Sequence, residues 1–476
     1  MGDGYDEAPH PADDPAEVAR HEQPTAPTGN PFRAEGFYYP DRSIERDFWK
    51  AREDLATIYQ WAQACRVPPW SLLLEVMARM YTVIPPEVRL PPLVGKSGAS
   101  LNVLIGHAGR TGRGKDATED TASSVIELGA DVPEGVEIGT GEGISRLFVE
   151  YDKKADEQVT IAKSALLSIS EIDYLAALVA RGGGGATIGP VLRKVFTGAR
   201  LGAQNAGKEF RIHVPKHSYR LCISAGIQPE RSALLLDDAD GGTPQRWFFS
   251  PTVDPYAPDI RPDEPRRIVW HPPDGMPCLG RGDNRRWPDG DPFFLEVCST
   301  VRNLVDDERV IVLRGGGNKN ESHSTLNREK AAAFLGLLDG YPGIRDEDWE
   351  LSGIIAAVSA GQREFMAEML RTETRLRNEA AGYAAAAQAG IIEEVSETRQ
   401  VQKTCKRIMD KLTERPEWWS HSDLRRAIGP GRNNAYRDSF EDSLESLISK
   451  GSIQRSATQY HGASGFRYRL AGLNEG

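Results

Sequence analysis

The sequence predicts an α/β fold: a mainly parallel sheet covered by helices, with a helical region before it, a helical subdomain after it, and a small unit of helices and a hairpin at the end. Three observations predict it. Short apolar runs over residues 101–105, 147–149, 165–169, 219–225 and 246–249 alternate with helical or loop segments, and strands that alternate with helices form parallel sheets. Ahead of them, Phe48, Leu55, Ile58, Trp61 and Ala62, then Leu72, Leu73, Val76 and Met80, recur at helical spacing. Beyond them, residues 325–389 are rich in Ala, Leu and Glu, and the residues after 394 read as three helices followed by two short alternating runs.

Taken in order, residues 1–42 form an acidic, proline-rich tail with too little apolar surface to offset the entropy of ordering, so disorder is expected. Residues 43–95 make the helical region, broken at Pro68 and Pro69 and followed by a stiff connector containing Pro85, Pro86, Pro91 and Pro92. The α/β core occupies residues 96–320 and the helical subdomain residues 321–393. In residues 394–476, helical segments near 403–412, 422–428 and 439–450 precede runs at 452–456 and 465–470. Helix, helix, helix, hairpin describes a winged helix.

Bulk properties set limits. At 476 residues the chain exceeds one ordinary core. No run reaches the roughly 20 apolar residues that span a bilayer, and no basic-then-apolar signal opens the chain, so a cytoplasmic protein without membrane contact is expected. The five cysteines are scattered, with no CxxC pair; a disulfide framework is not expected, and Cys278, Cys298 and His271 match no standard zinc spacing. The net charge of −11 argues against indiscriminate coating of nucleic acid. Its distribution is uneven: residues 1–30 carry seven acids and one base, residues 181–220 carry eight bases and one acid, and residues 401–476 carry thirteen bases and nine acids.

The first apolar run ends at GRTGRGKD, residues 109–116. Gly109, Arg110, Thr111, Gly112, Arg113, Gly114 and Lys115 satisfy the G-x-x-x-x-G-K phosphate loop, in which backbone N–H groups wrap a phosphate and the lysine neutralises it. Asp116 stands where a Ser or Thr hydroxyl would bind magnesium; a carboxylate can hold the ion, yet it brings negative charge beside a triphosphate. ATP and Mg²⁺ are the expected ligands, and efficient hydrolysis is the question Asp116 raises. A solvated basic turn is the competing reading.

An ATPase of this kind needs an acid to orient water and magnesium at the end of a neighbouring strand. Glu171, after the run 165–169, fits that position and joins Asp116 as a metal ligand; an acid there can equally be a helix N-terminal residue. Glu142, flanked by Gly141 and Gly143, is a second catalytic candidate. Gln228, past the run 219–225, could sense a γ-phosphate or cap a turn. Arg246, behind the turn at 241–245, is suited to presentation at a subunit edge, where it would stabilise transition-state charge in a neighbour; a surface salt bridge is the alternative. For DNA, the mobile basic stretch with Arg181, Arg193, Lys194, Arg200, Lys208 and Arg211 could grip a strand, or be a solvated charged face. In the last unit, Arg432, Asn433, Asn434, Tyr436 and Arg437 precede the third helix, and Arg467 and Arg469 lie on the wing, a plausible groove-and-backbone set. Glu441, Asp442 and Glu445 on the same helix favour a protein partner instead.

Beyond the phosphate loop, the chain contains LPPLVGKSGASLN at 90–102, GTGEGI at 139–144, SEIDYLAAL at 170–178, HSYRLCISAGIQPE at 217–230, GGTPQRWF at 241–248 and EDWELSG at 347–353. With these motifs, residues 48–359 resemble the P-loop ATPase, or helicase-like, portion of replication proteins of actinobacteria, their phages and integrative elements, often fused there to a primase-polymerase domain. The resemblance implies a RecA-like P-loop ATPase core, assembly into a homo-oligomer such as a hexameric ring, service in DNA replication, and phosphate, acidic and finger roles for Lys115, Glu171 and Arg246. Asp116 departs from that pattern, and the 47 residues before the match are too short for a primase, so a separate primase is an expected partner. The resulting expectation is a DNA-dependent ATPase acting as a replicative helicase. A non-motor initiator or regulator, using ATP as an assembly switch, is the alternative, and a small-molecule kinase a third.

Overall fold

The computed structural model describes residues 37–109, 114–135, 141–170, 188–203, 211–236, 242–279, 291–316, 321–429, 435–460 and 463–472. The chain divides into two compact units, one ending at Thr374 and the other beginning at Arg375.

Three helices open the first unit, α1 (Arg42–Lys50), α2 (Glu53–Cys65) and α3 (Pro69–Val83). Each boundary has a local cause. Asp41 caps α1 by accepting the Ser43 backbone N–H at 2.9 Å, Arg66 ends α2 at φ 59°, and Pro69 opens α3 at a position where its missing N–H costs nothing. α3 is buried along almost its whole length, because it lies on the face of the central sheet.

That sheet has four parallel strands in the order β4–β1–β3–β2: β1 (Leu104–Ala108), β2 (Ser164–Ile169), β3 (Arg220–Ile227) and β4 (Trp247–Pro251). Glu134 adds an isolated parallel bridge to Leu166. Burial alternates with period two. Ile105, Leu166, Cys222 and Phe248 join the core shared with α3 and α4 (Lys115–Val125), whereas Leu104, Leu167, Ile223, Trp247 and Phe249 join the core of α5 (Ile188–Thr197). Each such side chain contributes about 1.5–3 kcal/mol on burial.

Two expectations need correction. The first strand starts at Leu104 rather than residue 101, because Asn102 takes over the backbone pairing: its Nδ2 donates to Val195 O at 2.8 Å and its Oδ1 accepts the Leu221 N–H at 3.2 Å. The run at 147–149 does not join the parallel sheet. Val149–Asp152 instead pairs antiparallel with Glu157–Thr160, a local hairpin whose turn is fixed by the Asp152 carboxylate accepting the Lys154 N–H at 2.7 Å.

Fully buried Arg220 ties the proline connector to β3, donating to Ile84 O, Pro85 O, Val88 O, Ser100 Oγ and Asn102 Oδ1. Burial pushes it down to about 10. After the sheet come α6 (Ser299–Leu313), α7 (Glu321–Leu338) and the 69-residue α8 (Asp346–Glu414), which runs unbroken through the residue 393 boundary read from composition.

The second unit packs the end of α8, α9 (His421–Ile428) and α10 (Phe440–Ser449) on a three-stranded antiparallel sheet. Its order is Trp419–Ser420, then β6 (Ala463–Leu470), then β5 (Ile453–Tyr460). Ser420 caps α9, accepting the Asp423 N–H at 3.2 Å. Among the described residues, no helix is long and apolar enough to cross a membrane.

Candidate phosphate-binding site

The carboxyl ends of the parallel strands form the site. From β1 the chain crosses past β3 to β2, returns to β3, and then crosses β1 to β4, so β1 lies where the strand order reverses, the usual place for a ligand crevice in an open α/β sheet. Gly109 follows β1 and donates its N–H to Ile227 O at 2.9 Å, fixing the start of the loop against the end of β3. Gly114 has φ 76°, a conformation that glycine adopts without strain, and directly precedes α4. No side chain caps the N-terminus of α4, and a Cβ at Gly114 would meet nothing within 4 Å. Uncapped N–H groups at a helix N-terminus, with open space before them and a lysine alongside, fit a phosphate. Arg110, Thr111, Gly112 and Arg113 lie outside the described residues.

Lys115 is held across the strand ends. Its Nζ donates to Ile169 O at 2.7 Å and Ser168 Oγ at 3.1 Å, and pairs with Glu119 Oε1 at 3.0 Å. Gly226 makes room for this: a Cβ there would come within 2.3 Å of Ser170 O and 3.3 Å of Lys115 Cδ. Asp116 is exposed in the first turn of α4, and the Thr118 hydroxyl is already committed to Gly114 O at 2.9 Å.

A residue that sequence reasoning missed is Glu119. One turn after Lys115, its carboxylate accepts the Ser168 hydroxyl, whose Oγ lies 2.7 and 2.9 Å from its two oxygens, and its Oε1 lies 3.3 Å from Ser224 Oγ. Ser224 also donates a short hydrogen bond to Glu75 on α3, and Glu75 meets His107 Nε2 at 2.6 Å. On the other side of the ring, His107 Nδ1 lies 2.8 Å from Ser250 Oγ, Ser250 Oγ lies 2.9 Å from Ser71 Oγ, and Ser71 donates to Pro251 O at 2.9 Å. With Nε2–H of His107 donating to Glu75 and Ser71 donating to the Pro251 carbonyl, the remaining contact, between His107 Nδ1 and Ser250 Oγ, takes its proton from either side. Glu75 and His107 are a buried, hydrogen-bonded carboxylate–imidazole pair. Burial alone would raise the Glu75 carboxyl, but hydrogen bonds from His107 and Ser224 and the charges of His107 and Lys115 hold it below its ordinary value.

The network had a sequence signal. His107, Ser168, Ser224 and Ser250 each interrupt an apolar strand two residues after a buried apolar position on the same sheet face, and the register sets Ser224 opposite Ser168 and Ser250 opposite His107. Glu75 and Glu119 had no such signal, since each reads alone as a helical surface acid.

Other expected site residues fall in several places. Glu171, Arg181, Lys208, Arg432, Asn433 and Asn434 lie outside the described residues. Gln228 sits at the carboxyl end of β3, one residue past the carbonyl that holds Gly109. Glu142 is exposed on the short helix Gly141–Arg146. Arg246 is not presented at an edge: it is 9% exposed and donates Nη2 to His323 Nε2 at 2.7 Å, drawn inward by the apolar strand that follows it. Lys194, Arg200 and Arg211 are exposed, the last two beside the paired strands Leu201–Ala203 and Ile212–Val214, while Arg193 is half-buried with Nη1 on Thr243 Oγ1 at 3.2 Å. Arg437 lies on the four-residue helix Ala435–Asp438, directly before α10.

On the hairpin of the second unit, Arg467 and Arg469 both stack on Trp418, with guanidinium carbons 4.6 and 4.5 Å from its ring centroid. Such stacking orders two long side chains in advance. Cys278 donates to Val83 O at 3.5 Å and Cys298 precedes α6, and no cluster able to hold a metal ion forms among the described residues. No protein-family model matches the chain, and no curated protein matches it.

Proposed function

We propose that the chain is a cytoplasmic DNA-dependent ATPase of DNA replication, a RecA-like motor acting as a helicase of a phage or integrative element. The observation that carries the reading is Lys115: it stands at the start of a helix behind a left-handed glycine, at the carboxyl ends of parallel strands, with its ammonium between β2 and the helix that bears it. The strand order supports it too, since β3 lies between the phosphate-loop strand and the strand that leads to Glu171, an arrangement typical of RecA-like motors.

In this reading Gly114, Lys115 and the first N–H groups of α4 hold the phosphates of ATP, and Asp116 and Glu171 are the candidate Mg²⁺ ligands. Bound Mg²⁺-ATP supplies the phosphoryl group and the counter-charge for its transfer. Glu119 keeps Lys115 oriented and is released from it as phosphate takes the ammonium. The order helix, short strand, helix, helix, hairpin supports a winged helix in the second unit, with Arg467 and Arg469 on its hairpin for DNA phosphates. A ring of copies and a separate primase complete the proposal.

Hydrolysis of ATP with single-stranded, duplex and no DNA tests it. The expected result is DNA-stimulated turnover that falls at least a hundredfold in Lys115→Ala; no stimulation and no loss in the variant would sink the motor. Exposed Asp116, in place of a hydroxyl, favours a second reading, an initiator or regulator that uses ATP as an assembly switch. That reading predicts ATP-dependent oligomers with negligible turnover, and equal assembly with and without ATP counts against it.

A further inference from the structure

A cavity of about 320 Å³ opens between α6, α7 and the end of the proline connector with the loop after it, and its lining shares no residue with the candidate phosphate site. That volume is at the lower end of the range for small-molecule sites, about 300–1,000 Å³. Its walls include Leu93, Ala99, Val305 and Leu326, and Ile311 and Val312 stand half-exposed at its mouth, 50% and 39% accessible. Against this apolar lining, Glu329 of α7 places a carboxyl that is 6% exposed and makes no hydrogen bond or ion pair among the described residues. A buried carboxyl without a partner is costly unless something else meets it.

The neighbouring groups define the complement. Glu308, from α6, also lines the cavity, its carboxylate accepting the single Thr325 hydroxyl hydrogen, with Thr325 Oγ1 3.0 and 2.9 Å from its two oxygens. His323 has Nε2 occupied by Arg246, and burial together with the charges of Arg246 and Lys330 pushes it down to about 4, so it faces the cavity uncharged near neutral pH. Lys330 is turned away, bound to Asn102 O and Phe196 O at 2.6 and 2.8 Å. Arg309 is exposed at the rim. Among the described residues, the interior of the cavity thus carries two carboxyl groups and no cation.

We propose that this cavity binds a small apolar organic cation, an alkyl- or arylammonium ion, whose ammonium pairs with Glu329 and whose hydrocarbon fills the space toward Val312. Burial, reinforced by Glu308 and opposed by Lys330, raises Glu329 to about 7. An ammonium favours the ionised carboxyl, so ligand affinity rises as pH rises through 7, by about tenfold between pH 6 and 8, and binding at pH 7 releases about half a proton.

Calorimetric titration of the full chain with hexylammonium, with hexan-1-ol as the uncharged control, tests the site without reference to ATP. Expected are saturable hexylammonium binding, proton release revealed by buffers of different ionisation enthalpy, and much weaker binding of the alcohol. Glu329→Gln should lose at least tenfold in affinity at pH 8 and all of the pH dependence. Val312→Trp, at an exposed position that leaves the core intact, should also weaken binding at least tenfold by closing the mouth. Absence of binding at millimolar hexylammonium, an alcohol that binds equally well, an unchanged pH profile in Glu329→Gln, or unaltered affinity in Val312→Trp would each overturn the proposal.

Discussion

Replacing Glu75 by Leu strikes the centre of the polar network beneath the phosphate site. The Glu75 and His107 side chains are each 1% exposed and meet at 2.6 Å, so the change leaves the His107 ring N–H and the Ser224 hydroxyl without their acceptor. Leaving two buried donors without their acceptor costs about 1–3 kcal/mol each, a large part of the 5–15 kcal/mol that holds an ordinary domain. His107→Leu should cost a similar amount, while the double variant, which removes both polar groups and fills the space, should cost at least about 1 kcal/mol less than the sum of the singles. Urea unfolding followed by tryptophan fluorescence measures this, with buried Trp70 and Trp247 reporting on the first unit. Because the folded-state Glu75 carboxyl lies below its ordinary 4.5, its contribution is complete above that value and is lost as pH falls through the lowered one. The gap between wild type and Glu75→Leu should therefore narrow below about pH 4. Single variants that each cost under about 1 kcal/mol, or strictly additive costs, would refute the assignment of Glu75 and His107 as a coupled buried pair.

Three further outcomes follow from the structure. Glu119→Gln removes a partly exposed ion pair worth about 1 kcal/mol, so ATP should bind as tightly or up to about fivefold more tightly in equilibrium dialysis, while turnover falls at least tenfold as Lys115 loses its orientation. Arg220→Met should destabilise the first unit by at least about 4 kcal/mol in the same urea assay, since the carbonyls of Ile84, Pro85 and Val88 lose their donor, each at about 1–3 kcal/mol. Arg467→Ala with Arg469→Ala should lower the slope of log K against log salt for duplex binding by about 1.8, and Trp418→Ala should weaken binding without that change of slope.

The sheet was legible because its strands are short, mainly apolar runs buried on both faces and bounded by turn residues. The hairpin at residues 149–160 was misplaced for the same reason: a short apolar run carries no record of its partner, and only the Asp152 turn decides that it folds back locally. Lys115 was legible from glycine spacing alone. Glu119 and Glu75 were not, because their roles depend on α3 and α4 both covering one face of the sheet, a contact between segments far apart in the chain. Arg246 shows the converse: a glycine-rich turn suggested exposure, but the packing of Trp247 and Phe249 carries the arginine inward to His323. The long helix α8 hides a boundary that composition suggested, since its Ala-rich middle has helical propensity enough to continue through it.

The proposed function requires Lys115 and the glycines around it to form a phosphate cradle at the end of the sheet. Calorimetric titration of Mg²⁺-ATP into wild type, Lys115→Ala and Gly226→Ala measures that cradle. Expected are saturable binding to wild type, at least tenfold weaker binding to Lys115→Ala, and comparable loss in Gly226→Ala, whose Cβ would crowd Ser170 and Lys115. Equal affinity in all three proteins, or no binding to wild type, would contradict it.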